Sequence, residues 1–224
     1  QGPIFAQVLL IDEINRSTPK TQSALLEGLE EFEVTVANQS YPLPDPFFAI
    51  ATQSPGDPEG TFPFPEIQLD RFFFKLRIPF PSVEDVEMIL DRTTESHEPA
   101  VKKVLTADRV MEMAQLVREV KIAPEVRRYA VRLMIATHPD HESATPAVKR
   151  FVAHGASPRG AQAIVMAGKV QAILQGRMNV AAEDLHRAAT PALRHRISLN
   201  FEGQGEGADP DDLVREILET VKPG

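Results

Sequence analysis

The chain contains no cysteine, which removes disulfides, zinc-thiolate sites and thiol nucleophiles from consideration, and a reducing cytosol fits that absence. It has no apolar run approaching the ~20 residues of a membrane span, and no signal peptide opens it. The expectation is therefore a soluble, cytoplasmic protein with no membrane partner. Positive charge is also short: 24 Lys and Arg stand against 32 Asp and Glu, a formal net charge of −8. A nucleic-acid clamp needs a basic face to displace counterions, so nucleic acid is not the expected partner. There is no Gly-x-Ser-x-Gly, and the histidines have no nucleophile at a recognisable spacing. His138 and His141 are three apart, but Pro139 breaks a helix between them and no third ligand is near in sequence, which argues against a metal site.

What the chain does have is a core-building composition, 42% hydrophobic over 224 residues, enough for one large domain or two small ones. Its organising stretch is Val-Leu-Leu-Ile-Asp-Glu-Ile-Asn-Arg at 8–16. Four apolar residues without polar alternation suit a strand buried on both faces, as in a parallel sheet. Such a strand delivers Asp12 and Glu13 at its carboxyl end, the edge of an open α/β sheet where ligands bind. One carboxylate there can hold Mg²⁺ on a nucleotide while its neighbour orients water. A buried strand running into a solvated acidic turn is the alternative.

Ser17 or Thr18 can cap a helix that begins at Pro19 and runs to about 30. Alternation over 32–36, a turn at 38–40 and a short run over 41–43 predict a hairpin with Val34 and Val36 on the face of Phe32. A second apolar strand over 47–51 leads into Thr52-Gln53-Ser54. Residues 55–66 hold too many prolines and glycines for regular structure and predict a loop, followed by a helical turn over 66–71 and a strand over 72–78. Beyond Pro81 only helices are expected: one from the capping-box form Ser82-Val-Glu-Asp85 to about 94, then 107–120 and 125–138. Val110, Met113, Ala114 and Val117 mark one apolar stripe, and Val126, Tyr129, Ala130 and Leu133 another. A polar loop over 139–150 follows, then a helix from Ser157-Pro158-Arg159-Gly160 to near Gly176, two short helices over 182–189 and 191–195, and a last one from Asp209-Pro210 to about 221. The boundary near Pro81 separates part of an α/β layer (1–81) from an all-α module (82–224).

Six blocks in one order carry a resemblance that covers essentially the whole chain: VLLIDEINR at 8–16, PKTQSALLEGLEE at 19–31, PLPDPFFAIATQSP at 42–55, PEIQLDRF at 65–72, GASPRGAQA at 155–163 and LRHRISLNF at 193–201. The sequence resembles the AAA+ ATPases and, within them, the MoxR-type group. The resemblance implies an α/β fold: the second half of a P-loop NTPase parallel-sheet core followed by an α-helical lid. It implies that Asp12 is the Walker B ligand of Mg²⁺ on ATP and that Glu13 polarises the attacking water. Asn15 and Arg16 are similar to the residues after Walker B, where they either contact a neighbouring subunit or cap a solvated turn. Residues 52–54 correspond to sensor 1, but the family usually shows Asn where this chain has Ser54, a shorter side chain with one donor in place of two; Gln53 is the substitute. Arg71 is similar to the arginine finger that completes a neighbour's site, and Arg159 to sensor 2 on the lid. The hairpin at 32–43 matches the insertion before sensor 1, either a loop near a ring's pore or interface or a plain sheet extension.

No Gly-x-x-x-x-Gly-Lys-Ser/Thr occurs in the chain, although that loop cradles the phosphates in such enzymes and lies upstream of Walker B. Gln1 is no initiator and the strand at 8 has almost nothing before it, so the sequence reads as the carboxy-terminal portion of a longer protein. The resemblance implies a whole protein that hydrolyses ATP as a homo-oligomeric ring, a hexamer, and remodels a client, such as a metalloenzyme or a complex with a von Willebrand factor A-type domain. The segment alone is expected to be inactive. Two readings compete with it. One is a non-catalytic scaffold or interaction module, which Ser54 favours and intact Asp12, Glu13, Arg71 and Arg159 oppose; the other is a DNA-remodelling ring, which the −8 charge opposes.

Overall fold

The computed structural model describes residues 2–54, 60–62, 64–94 and 100–223; much of the loop expected over 55–66 falls outside them. The apolar run forms strand β1 (Val8–Ile11). Thr18 then caps helix α1 (Pro19–Glu31) by accepting from the Thr21 N–H, with Pro19 where a missing N–H is harmless. Phe32, left-handed at φ 55°, ends that helix and feeds the antiparallel hairpin β2 (Glu33–Val36) and β3 (Gln39–Pro42). Two expectations change here. Phe32 closes the helix, edge-on to Phe47, and does not share a strand face with Val34 and Val36. The turn is Ala37-Asn38, both at positive φ, so Gln39 and Ser40 join the ladder; two-residue turns of this hand match the twist of a hairpin.

Strand β4 (Phe48–Ala51) pairs parallel with β1, from Val8 opposite Phe48 to Ile11 opposite Ala51. The expected burial on both faces is not met: Val8 and Leu10 are each 64% exposed and Phe48 61%, because nothing among the described residues covers that face. After the one-turn helix α2 (Glu66–Leu69), the strand expected over 72–78 is absent. The segment is a strap whose backbone is bonded elsewhere. Lys75 N–H donates to the Pro191 carbonyl, Arg194 donates to the Lys75 carbonyl, and Arg196 and His195 bond the carbonyls of Phe72 and Phe73.

Helix α3 (Val83–Thr94) opens on the expected capping box, Ser82 Oγ accepting from Asp85 N–H while Asp85 accepts from Ser82 N–H, both at 3.1 Å. Thr106 caps α4 (Ala107–Glu119), but the stripe of Val110, Met113 and Ala114 lies exposed, and the helical core begins at Val120. Helix α5 (Pro124–Ile135) buries Tyr129, Ala130 and Leu133 as its spacing predicts. In place of a loop to 150 there is a short helix, α6 (Pro146–Phe151), capped by Thr145 and followed by strand β5 (Val152–His154).

Helix α7 (Pro158–Leu174) runs through the middle of the lid against α4, α5 and α8 (Ala182–Leu193). Close approach to α8 depends on Gly168, where a Cβ would sit 2.7 Å from Leu185 Cδ2. The two short helices expected over 182–195 are one: α8 continues through Pro191 because Ala188, Ala189, Ala192 and Leu193 all bury in the same core, outweighing the one lost backbone bond. Strand β6 (Ser198–Leu199) pairs with β5, and α9 (Phe201–Glu206) and α10 (Pro210–Thr220) close the chain. The region beyond Pro81 thus carries a small ribbon as well as helices. No helix among the described residues is long and apolar enough to cross a membrane.

Candidate functional site

Parallel pairing sets the ends of β1 and β4 side by side, and the polar residues that follow each strand interlock. Thr52 Oγ1 donates to Asp12 Oδ1 at 2.6 Å and accepts the Glu13 N–H at 2.7 Å, while the Thr52 carbonyl accepts the Ile14 N–H at 3.0 Å. Asp12 is thereby aimed off the sheet edge, exposed, with its second carboxylate oxygen unpartnered among the described residues. Glu13 takes a left-handed backbone, φ 48° and ψ 52°, a conformation that costs a non-glycine residue of order 1 kcal/mol and persists here because its N–H is held by Thr52. Its carboxylate lies 3.3 Å from Arg16 Nε. Buried Gln22 braces the turn from below by donating to the carbonyls of Ile14 and Ser17.

Asn15 works within its own chain. Its amide donates to the Ser54 carbonyl at 3.2 Å and accepts the Ser54 N–H at 3.3 Å, tying the two strand ends together a second time. The side chains of Gln53 and Ser54 form no hydrogen bond among the described residues; Gln53 is exposed and Ser54 half-buried. Of the three residues at this strand end, it is the Thr52 side chain that touches the Asp12-Glu13 pair; the sequence reading placed Thr52 in the sensor 1 stretch without a role of its own.

Arg71 and Arg159 come together at the other end of α1. Glu30 Oε2 lies 2.8 Å from Arg71 Nη2 and Glu30 Oε1 2.6 Å from Arg159 Nη2, beside a cavity of about 140 Å³ lined also by Leu26, Leu29 and Phe72. Pro19 to Glu30 spans ~16 Å of helix axis, so the arginine pair and the acidic pair occupy opposite ends of one helix. The structure brings Asp12 and Glu13 together and Arg71 and Arg159 together, and does not bring either arginine to the acids.

Asp70 is the joint beneath the arginines. It accepts from Ser157 Oγ at 2.7 and 2.9 Å and from Arg196 Nε at 2.9 Å, and stands 3.4 Å from Arg159 Nη1. Burial raises its carboxyl, but the hydrogen bonds from Ser157 and Arg196, with the Arg196 charge, outweigh that and hold it below the usual carboxylate range. Arg196, with a side chain 2% exposed, also donates to the carbonyls of Asp70, Phe72, Phe73 and Ala192. His195 beside it is pushed down to about 4, chiefly by burial and then by the Arg196 charge, so it is neutral at neutral pH and its Nε2–H donates to the Phe72 carbonyl. Three consecutive residues, Arg194 to Arg196, thus fasten the strap between α2 and α3 to the lid. Glu30, Thr52, Asp70 and Arg196 all lie inside the motif blocks, yet only their tertiary partners reveal what they do.

The comparisons with known proteins agree with this layout. A family model described as "ATPase family associated with various cellular activities (AAA)" matches residues 1–74, and an AAA lid domain model matches 145–217. The chain is 39% identical over 222 residues to the uncharacterized protein YeaC of Bacillus subtilis, covering 99% of this chain and 67% of YeaC. It is 34% identical over 220 residues to the chaperone MoxR1 of Mycobacterium tuberculosis, covering 98% of this chain and 58% of MoxR1. A crystal structure of a candidate ATPase from Cytophaga hutchinsonii superposes with a TM-score of 0.94 at 34% identity, over all of this chain and 68% of that one. The chain therefore spans between 58% and 68% of the length of these relatives. With paired carboxylates at a parallel strand end, an AAA core match, an AAA lid match and MoxR relatives along nearly its whole length, the chain belongs to the MoxR-type group of AAA+ ATPases.

Proposed function

We propose that this chain supplies the Walker B end of the core and the lid of an ATPase that works as a homo-oligomeric ring, a hexamer, in the cytoplasm. The observation that carries the reading is the Thr52 clamp, which presents Asp12 and Glu13 side by side on a rigid strand end. The donor set fits Mg-ATP: the free Asp12 oxygen is a hard, exposed ligand, and one carboxylate plus substrate phosphates is how Mg²⁺ is usually held. Bound Mg-ATP supplies the phosphoryl group and the charge that neutralises its transfer. Within this chain Asp12 would hold the metal, and Glu13 would accept a proton from, and align, the attacking water. Arg71 offers a guanidinium to the neighbour's phosphate, and Arg159 adds a second cation from the lid. At sensor 1 Ser54 and Gln53 are free to turn toward water, while Thr52 is occupied with Asp12. The core ends near Pro81, and residues 82–224 form the lid. The client is a protein, with a von Willebrand factor A-type domain as the expected kind; the work on it is chaperone-like remodelling or maturation.

In the full-length protein, Glu13→Gln stops hydrolysis and spares ATP binding, because it removes water activation and leaves the metal ligand. Asp12→Asn weakens Mg-ATP binding as well. Turnover by Glu13→Gln at the unmodified rate would end the Walker B assignment. Absence of turnover in the unmodified ring, with ATP still bound, would favour the non-catalytic scaffold, the reading that the unbonded Ser54 hydroxyl supports.

A further inference from the structure

We infer that Glu30 is the shared counter-ion that holds Arg71 and Arg159 as one unit and yields both of them together to a phosphate group, a role that rests on the ATPase reading above. One carboxylate gives one oxygen to each guanidinium, at 2.8 Å and 2.6 Å, and the two arginines come from distant parts of the chain, one just after α2 and one at the start of α7. Arg71 is gripped through one nitrogen, and Arg159 through Nη2 with its Nη1 in a longer 3.4 Å contact to Asp70, which leaves further N–H donors on both forks beside the small cavity they line. Asp70 is a weaker partner than Glu30: its oxygens accept from Ser157 and the buried Arg196, and it reaches Arg159 only at 3.4 Å. Counting Arg71, Arg159 and Arg196 against Glu30 and Asp70, the cluster keeps an excess of one positive charge (3 − 2 = 1).

Helix geometry says that Glu30 is not there for the sake of α1. It lies in the last turn, which holds no basic residue and where the backbone dipole disfavours a carboxylate. The arginines are what make it tolerable there. The side chains of Glu30, Arg71 and Arg159 are 31%, 33% and 46% exposed, and ion pairs that solvent reaches hold weakly. A phosphate, with more charge and three acceptor oxygens in place of two, competes successfully for the same two guanidiniums. Glu30 therefore keeps the arginines collected and ordered until the phosphate arrives, and both are released by the same event.

The test uses this chain and inorganic pyrophosphate, with the Nε–Hε resonances of Arg71 and Arg159 followed by NMR. Both resonances are expected to move along one binding isotherm. Glu30→Gln, which removes the competing charge and keeps the shape, is expected to tighten that isotherm about five-fold, the equivalent of an exposed pair worth ~1 kcal/mol. Glu30→Asp, one methylene shorter, reaches only one guanidinium and is expected to split the isotherm into two. A purely structural Glu30 would lower the melting temperature of Glu30→Gln and leave the dissociation constant alone. Separate isotherms in the unmodified chain, or an unchanged constant in Glu30→Gln, would overturn the inference. Failure of the ATPase reading is seen elsewhere, in the absence of turnover by the unmodified full-length ring, and leaves the pyrophosphate isotherm intact.

Discussion

Asp70→Asn keeps the outline of the side chain and deletes the charge facing Arg196. Arg196 is buried and Asp70 mostly so, with side chains 2% and 15% exposed, and the pair joins the residue before the strap to the lid. Removing one partner of a buried pair costs about 3–5 kcal/mol, because the other charge is left without its counter-ion. The low end applies: Arg196 keeps its bonds to the carbonyls of Asp70, Phe72, Phe73 and Ala192, so about 3 kcal/mol is expected. For a chain of this size that is a fall of ~6–12 °C in melting temperature. Urea unfolding at pH 7 measures it directly, and Arg77→Ala serves as the comparison. The Arg77 pair with Asp209 has similar geometry, 2.7 Å, but its side chains are 49% and 38% exposed, so its loss costs less than ~1 kcal/mol. The effect carries a pH signature. The folded Asp70 carboxyl titrates below its unfolded value, so its stabilisation is fully present above the ordinary carboxylate range and is lost as pH falls through the lowered folded value. The gap between the unmodified chain and Asp70→Asn therefore closes on acidification below about pH 4. If Asp70→Asn destabilises no more than Arg77→Ala, the buried joint is not what fastens the strap to the lid.

His195 gives a second pH window: its folded value is lowered from 6.5 to about 4, so the unfolded chain takes the proton first and stability falls as pH drops between those values. The loss reaches ~3 kcal/mol, and His195→Gln is expected to flatten that part of the stability profile; an unchanged slope in unfolding experiments at pH 4.5 and 6.5 would refute the assignment. Arg71→Ala and Glu13→Gln are each expected to be inert in the full-length ring, while an equal random mixture regains activity, since about a quarter of head-to-tail interfaces pair an intact Glu13 with an intact Arg71. Background activity at every mixing ratio, with mixed rings verified by mass, would place Arg71 in its own subunit's site. Gly203→Ala puts a Cβ 2.6 Å from the Phe151 carbonyl oxygen, backbone that cannot rotate away, and is expected to destabilise the β5–β6 end of the lid by ~1–3 kcal/mol in calorimetry.

The elements that could be read in advance were those with local chemistry at their ends. Thr18-Pro19, the Ser82 and Asp85 exchange, Thr106, Ser157-Pro158 and Asp209-Pro210 each cap the helix expected of them, because a cap satisfies backbone N–H groups within three residues of itself. Thr145-Pro146 carries the same signal, but its helix is too short to show a periodic stripe. The misreadings share a different cause. Residues 72–78 have strand composition, yet their backbone partners are Pro191 and the Arg194 to Arg196 run, more than a hundred residues away. Pro191 has the local mark of a helix break and is overruled by the four side chains around it that bury in one core.

Sequence alone determined which residues this protein could use: acidic residues at the end of an apolar strand, two arginines in motif positions, and a family that six ordered blocks identify. Those features are read from neighbours along the chain, where spacing and residue type carry the physics. Only the tertiary structure decided which of them act on each other. Parallel pairing of strands 40 residues apart put Thr52 on Asp12 and Glu13, and the approach of the end of α2 and the start of α7 to the last turn of α1 put Arg71 and Arg159 on opposite oxygens of Glu30. Hydrogen bonds and ion pairs act over about 3 Å, and only packing determines which distant residues come within that reach.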